Sequence, residues 1–267
     1  MYKNKKIGVG VITCNRPKFL QDCLNGLSLC KNDIDEMIIV NDGKECNYNV
    51  DIQHKLIQHK HNMGISKTKN EAFLYLLNKD CEYIFIIEDD CTIINKDCLK
   101  KYCETSNISG LQHLLYAFKQ PPQRLMRTIK YKNCNVELYL HTIAAFCFFT
   151  RKCLINCGLM DEFYHNSTEH IDHSYRLILN KYTFGWGMFP DIENSDKYIN
   201  ISNHFKYSSC RKPKDEIYDN NIKIDNNYFK NKFGEEISKI IVNCDNNYIL
   251  SQLKDISDKY SIEKANK

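Results

Sequence analysis

The chain lacks several things that would have fixed its class at once. No apolar run reaches the ~18 residues that a bilayer-crossing helix needs. The N-terminus passes from a polar pentapeptide straight into an apolar strand, so neither a signal peptide nor a membrane span is expected. A surplus of one charge is missing too. Against 33 Asp+Glu stand 37 Lys+Arg, a net +4, and the basic runs at 2–6 and 211–214 are short. They read as solvated surface, so no nucleic-acid partner is expected. The 14 Cys contain no C-x-x-C pair and no zinc-finger spacing, and many lie in apolar contexts, as Cys14, Cys81, Cys147 and Cys153 do. Without a secretory signal they read as reduced structural thiols of a cytoplasmic protein. There is no internal repeat and no linker that would demand two independent domains.

What is present is an alternation of strands and helices. "KIGVGVITC" (6–14), "EMIIVND" (36–42), "KLIQH" (55–59) and "YIFII" (83–87) read as strands. Between them, "RPKFLQDCLNGLSLC" (16–30) opens on Pro17 with helical spacing. "SKTKNEAFLYLLNK" (66–79) places Ala72, Phe73, Leu76 and Leu77 on one face, with Ser66 as N-cap. This order predicts a mostly parallel sheet with helices on both faces. Residues 111–149 hold shorter strand-like pieces, "LLYAF", "VELYL" and "AAFCFFT", expected as antiparallel additions. A helix is expected over 170–182, a Gly/aromatic loop over 183–195, and amphipathic helices in "GEEISKIIVNC" (234–244) and "YILSQLKDISDKY" (248–260).

Polar groups gather at the strand ends, where ligands bind in parallel α/β sheets. "TCNR" (13–16), "NDG" (41–43) and "EDD" (88–90) follow three of the four strands. Three adjacent carboxylates beside a buried strand repel one another and cost several kcal/mol when unpartnered. A hard divalent cation would resolve this, because it takes carboxylate oxygens and water. An acidic loop or helix cap is the plainer alternative. "GVG" (8–10) lies inside its strand and lacks the third glycine of a dinucleotide fingerprint, so it is not read as one.

In this order and spacing, "VITCNRPKFLQDCLNGL", "MIIVNDG", "HNMGISKTKNEAF", "YIFIIEDDC" and "GLMDEFYHNSTEHIDHSYRL" resemble a GT-A glycosyltransferase of the family-2 type, over roughly residues 6–205. The resemblance implies a Rossmann-like α/β fold. Residues 1–209 would be the catalytic domain, split into a nucleotide-sugar half (1–104) and an acceptor half (105–209), with a helical extension at 210–267. It implies transfer of a sugar from a nucleotide-diphosphate sugar, most often a UDP-sugar, to an acceptor hydroxyl with inversion. Thr13, Asn15 and Arg16 would line the nucleotide pocket, and Asp42 would reach the base or ribose. Asn62, Gly64, Lys69 and Asn70 match the segment that closes over nucleotide and diphosphate, Lys69 being placed to neutralise phosphate. Glu88 and Asp90 match the D-x-D positions for Mn²⁺ or Mg²⁺, with Glu for the first Asp; Asp89 would contact sugar or ribose. His204 would complete the metal site.

The acceptor half departs from the pattern. His170 stands where the family usually places a carboxylate base, so Glu169, His170 and Asp172 are taken together as the catalytic group. Asp161, Glu162, Trp186 and Asp191 are acceptor candidates, with Trp186 equally a loop anchor and Asp191 equally a turn residue. The acceptor would be a glycan, glycolipid or glycoprotein, and the polar C-terminal helices could form a homodimer contact. Two other readings are a sugar-phosphate nucleotidyltransferase and an inactive sugar-binding module. The first lacks its glycine-rich loop in "TCNRPK". The second draws on His170 but leaves the acidic triplet without a purpose.

Overall fold

A computed structural model describes residues 1–117, 124–164, 168–201 and 216–262, without the side chains of 217 and 218. Strand β1 (Ile7–Thr13) is completely buried and leads into helix α1 (Pro17–Ser28), with Pro17 in its first turn. Strands β2 (Glu36–Asn41) and β3 (Lys55–Gln58) follow, then helix α2 (Ile65–Asn78) and strand β4 (Tyr83–Glu88). A short strand β5 (Cys91–Ile93), helix α3 (Cys98–Ser109) and strand β6 (His113–Leu115) lead into the second half. There stand β7 (Leu125–Tyr131), β8 (Cys134–Tyr139), β9 (Phe146–Thr150), α4 (Arg151–Cys157) and α5 (Glu169–Leu179). Strands β10 (Phe189–Ile192) and β11 (Ile199–Ile201) precede helices α6 (Glu216–Phe233) and α7 (Asn246–Tyr260).

The main sheet has the order β3-β2-β1-β4-β9-β6. The first four strands are mutually parallel, and β9 runs antiparallel to both β4 and β6. The chain steps outward from β1 through β2 to β3, then crosses back to place β4 on the other side of β1. That reversal is the switch point at which doubly wound sheets open a crevice. A second sheet, β10-β8-β7, and the pair β11-β5 are antiparallel additions. Gly10 in "GVG" is a packing residue: a Cβ there would come within 2.8 Å of the Ala72 Cβ on α2. Close helix–sheet approach, not phosphate binding, explains that glycine.

Several sequence expectations need correction. Residues 234–244 form no amphipathic helix, only a 3-10 turn at Ile237–Lys239. Ile237, Ile240, Ile241 and Val242 are β-branched and stiff, which suits an extended stretch. The N-cap of α2 is Gly64, not Ser66; the Ser66 hydroxyl donates instead to the Tyr164 carbonyl. The loop expected at 183–195 contains strand β10. Helix α3 escaped notice because Thr105, Ser106, Asn107 and Ser109 are buried in it and blur the apolar period. The C-terminal helices pack on the body. Tyr228 of α6 stacks on Phe163 at 3.8 Å, and Tyr260 of α7 stacks on Tyr182 at 5.1 Å. Among the described residues no helix is long and apolar enough to cross a membrane.

Candidate active site

Three strand ends meet at the switch point. Thr13 closes β1, and its hydroxyl donates to Asp89 Oδ2 at 2.6 Å. Arg16, at the start of α1, donates one guanidinium nitrogen to Asp89 Oδ1 and another to Asp90 Oδ2 at 3.3 Å. The cation that the acidic triplet called for is therefore supplied in part by the chain. Burial pushes the Asp89 carboxyl up to about 7, while Arg16 and the Thr13 hydroxyl pull it down. Asn15 holds the neighbouring loop, its Oδ1 accepting from the Lys44 N–H at 2.8 Å.

Asp42, at the end of β2, is fixed from several sides. Its Oδ1 accepts from the Met63 N–H at 2.7 Å and meets His59 Nδ1 at 2.7 Å, and its Oδ2 accepts from the Gly64 N–H at 3.0 Å. Asn62 Oδ1 takes a second bond from the same Gly64 N–H at 3.1 Å. Gly64 has φ 88° and ψ 156°, a region essentially restricted to glycine, so the turn that delivers these N–H groups needs this residue. His59 also reaches Glu71 at 2.6 Å. Burial depresses the imidazole pKa, but bonds to the two carboxylates carry it above its usual value. Sequence reasoning missed His59 and Glu71, which no local motif marks.

From the sheet edge a line of charges runs into the second half. Lys69 Nζ lies 2.9 Å from Glu88 Oε1 and 3.0 Å from Glu169 Oε1, and Glu169 Oε1 lies 3.4 Å from His170 Nδ1. Burial would raise the Glu169 carboxyl, yet Lys69 and His170 hold it well below the ordinary carboxylate range. Lys69, expected to neutralise phosphate, is only 1% exposed and spends its charge on the two glutamates. Asn70, expected at the nucleotide, clamps the halves together: its amide donates to the Met160 carbonyl and to Glu162, and its oxygen accepts from the Met160 N–H at 2.9 Å.

Other expected residues are structural. Asp172, expected in the catalytic group, is buried against Arg176 (2.7 Å), Lys232 (2.6 Å) and the Tyr164 hydroxyl (3.3 Å). Asp161 binds Lys232 and Tyr228 of α6. Burial opposes its ionisation, but Lys232, the Phe163 N–H and the Tyr228 hydroxyl keep its pKa below the usual value. Asp191, expected as an acceptor contact or a turn residue, is used inside the fold. It is fully buried in β10 and accepts from the Tyr102 hydroxyl, the Ala117 N–H and its own Ile192 N–H, while burial pushes its carboxyl up to about 6.

Trp186 and His170, by contrast, share the wall of one cavity of about 330 Å³, together with Leu140, Ile171, Ile240 and Val242. His204 lies outside the described residues, and among those described no three metal-ligating side chains converge. Glu88 and Asp90 nonetheless fit a hard divalent cation in kind. They are oxygen donors at the carboxyl end of β4; Glu88 is about one-fifth exposed, whereas Asp90 is buried beside Arg16.

A family model described as "Glycosyl transferase family 2" matches residues 9–167, more than half of the chain. The chain belongs to that family. As a family-2 glycosyltransferase it is similar to "Uncharacterized glycosyltransferase R363" of Acanthamoeba polyphaga mimivirus, at 29% identity over 220 residues, 73% of this chain and 81% of that protein. Its fold is also that of TarS from S. aureus. The TM-score is 0.57 at 17% identity, covering 97% of this chain and 44% of the TarS chain. Against TarS 1–349 in complex with UDP-GlcNAc the TM-score is 0.58 at 19% identity, covering 98% and 74%. This family-2 chain thus spans less than half of the longer TarS chain, and at these identities the likeness concerns the fold.

Proposed function

We propose that this glycosyltransferase moves a sugar from a UDP-sugar to an acceptor hydroxyl with inversion, aided by Mn²⁺ or Mg²⁺. The carrying observation is the line Glu88–Lys69–Glu169–His170, which runs from the carboxyl end of β4 to the wall of the cavity. The donor side would be the switch-point crevice, with Thr13, Asn15, Arg16, Asp42, Asn62, Gly64 and Asp89 around the nucleotide. The UDP-GlcNAc complex of the similar TarS fold supports this choice of donor. Asp42 is held rigidly enough by three partners to present an acceptor oxygen to a base or ribose. Glu88 and Asp90 would hold the divalent cation, which supplies positive charge to the departing diphosphate. Arg16, already beside Asp89 and Asp90, adds a guanidinium suited to phosphate oxygens.

His170 acts as the base, and Glu169 positions it. Glu169 is buried, ion-paired and held strongly acidic, which makes it a poor proton acceptor. With Nδ1 turned to Glu169, Nε2 is the nitrogen that takes the acceptor proton. His170→Ala should cut sugar transfer by about 10²–10⁴-fold while leaving UDP binding intact, as titration calorimetry would show. Undiminished transfer by that variant rules the assignment out. Thirteen described cysteines are free thiols, nine of them buried, which supports a reducing, cytoplasmic setting.

A further inference from the structure

The cavity beside His170 differs in character from the charged strand ends at the switch point. Its walls are apolar side chains from four separated segments: Leu140 after β8, Ile171 on α5, Trp186 before β10, and Ile237, Ile240 and Val242 before α7. Polar groups enter from His141, Thr142, His170, Ser174 and Ser238, but most of the exposed lining is apolar. From Ile240 the last segment is extended, and its residues alternate: Ile240 and Val242 line the cavity, while Ile241 between them is 85% exposed. Ile241 thus faces away from the cavity, and only its two neighbours in this stretch contribute to the wall. Val242 also packs tightly over Gly187, where a Cβ would come within 2.6 Å of it, so the segment is seated and not merely adjacent. At about 330 Å³ the space lies at the small end of ligand pockets, which are mostly apolar with few polar groups fixing orientation.

From this geometry we infer that the acceptor is an amphiphile: a hydroxyl-bearing polar head presented to His170, joined to an apolar alkyl or aryl group that fills the cavity. The inference rests on the reading of His170 as the base, because that places the reacting hydroxyl at the cavity wall. An all-polar glycan would strip water from its hydroxyls against Leu140, Ile171, Ile240 and Val242 without replacing those hydrogen bonds, which is unfavourable. An apolar group loses nothing there and gains from leaving water.

Trp186 is the only tryptophan of the chain, so its fluorescence reports occupancy without any turnover. The test titrates the full chain with methyl, butyl, hexyl and octyl β-glucosides, kept below micelle formation, and with phenyl β-glucoside. Each added methylene should tighten binding by about fourfold until the cavity is filled, from ~0.8 kcal/mol per buried CH₂. The phenyl arm distinguishes a planar from a linear apolar group. Val242→Asp and Ile240→Ser should each flatten the series; two variants guard against one failing to fold, which circular dichroism reports. Equal responses to methyl and octyl glucosides overturn the inference. So does equal binding of plain octanol combined with no sugar transfer to the octyl glucoside in the presence of a UDP-sugar the protein does hydrolyse. Should no UDP-sugar be hydrolysed at all, the proposed function fails, and the fluorescence series still decides the cavity's preference.

Discussion

Lys69→Met tests whether the buried charge line is built as described. The ammonium is almost fully enclosed, 2.9 Å from Glu88 and 3.0 Å from Glu169. Methionine keeps much of the side chain's length and removes the charge, stranding two carboxylates. Deleting one partner of a buried ion pair costs about 3–5 kcal/mol. Glu88 is about one-fifth exposed and can recover some hydration, whereas Glu169 cannot. The lower end, about 3 kcal/mol, is therefore expected; at ~2–4 °C per kcal/mol for a chain of this size the Tm falls by roughly 6–12 °C. Thermal melts followed by circular dichroism at pH 7 measure this. The double variant Lys69→Met/Glu169→Gln removes the stranded charge and should regain a substantial part of the loss. A single variant as stable as wild type, or a double variant less stable than the single, would refute the electrostatic reasoning.

His113 and Gly64 yield two further predictions. His113 is buried, stacked on Phe149 at 4.3 Å, with Nδ1 at the Phe148 carbonyl; burial lowers its pKa to about 4 from an ordinary 6.5. The unfolded chain takes up that proton more readily, so this contribution is complete above pH 6.5 and is lost as pH falls toward 4. The loss amounts to about 3 kcal/mol, and urea titrations should show a shallower acid limb for His113→Gln. For Gly64→Ala, left-handed strain should cost about 1–3 kcal/mol and weaken UDP binding, because the Gly64 N–H orients Asp42. Calorimetry with UDP would contradict this if affinity were unchanged.

How much was legible in the sequence depended on how far apart the partners lie. The parallel half announced itself, since "MIIVND" and "YIFIIEDD" mark both a buried strand and its polar end. Thr13, Arg16, Asp42 and Asp89 sit at or just after such ends, and the sheet order brings them together without further information. The burial of Lys69 and Asp172 could not be read from the sequence, because it depends on remote partners. Glu169 is 100 residues from Lys69, and Lys232 is 60 from Asp172. Asp191 read as an acceptor contact or a turn residue beside Pro190, yet it accepts from the Tyr102 hydroxyl, 89 residues away. The cavity was invisible for a different reason. Its outer wall at 237–242 has the composition of an amphipathic helix, yet it forms a 3-10 turn at Ile237–Lys239 followed by an extended stretch in which Val242 packs over Gly187.

A nucleotide-sugar site whose acidic strand end works with a divalent cation must release UDP. Measuring that release from a panel of UDP-sugars with Mn²⁺, for wild type and Asp90→Asn, puts this to the proof. At least one donor should turn over, with turnover abolished by EDTA and by Asp90→Asn while the variant keeps its circular dichroism spectrum. Turnover that survives both treatments, or a folded wild type that binds no UDP with Mn²⁺ present, would contradict it.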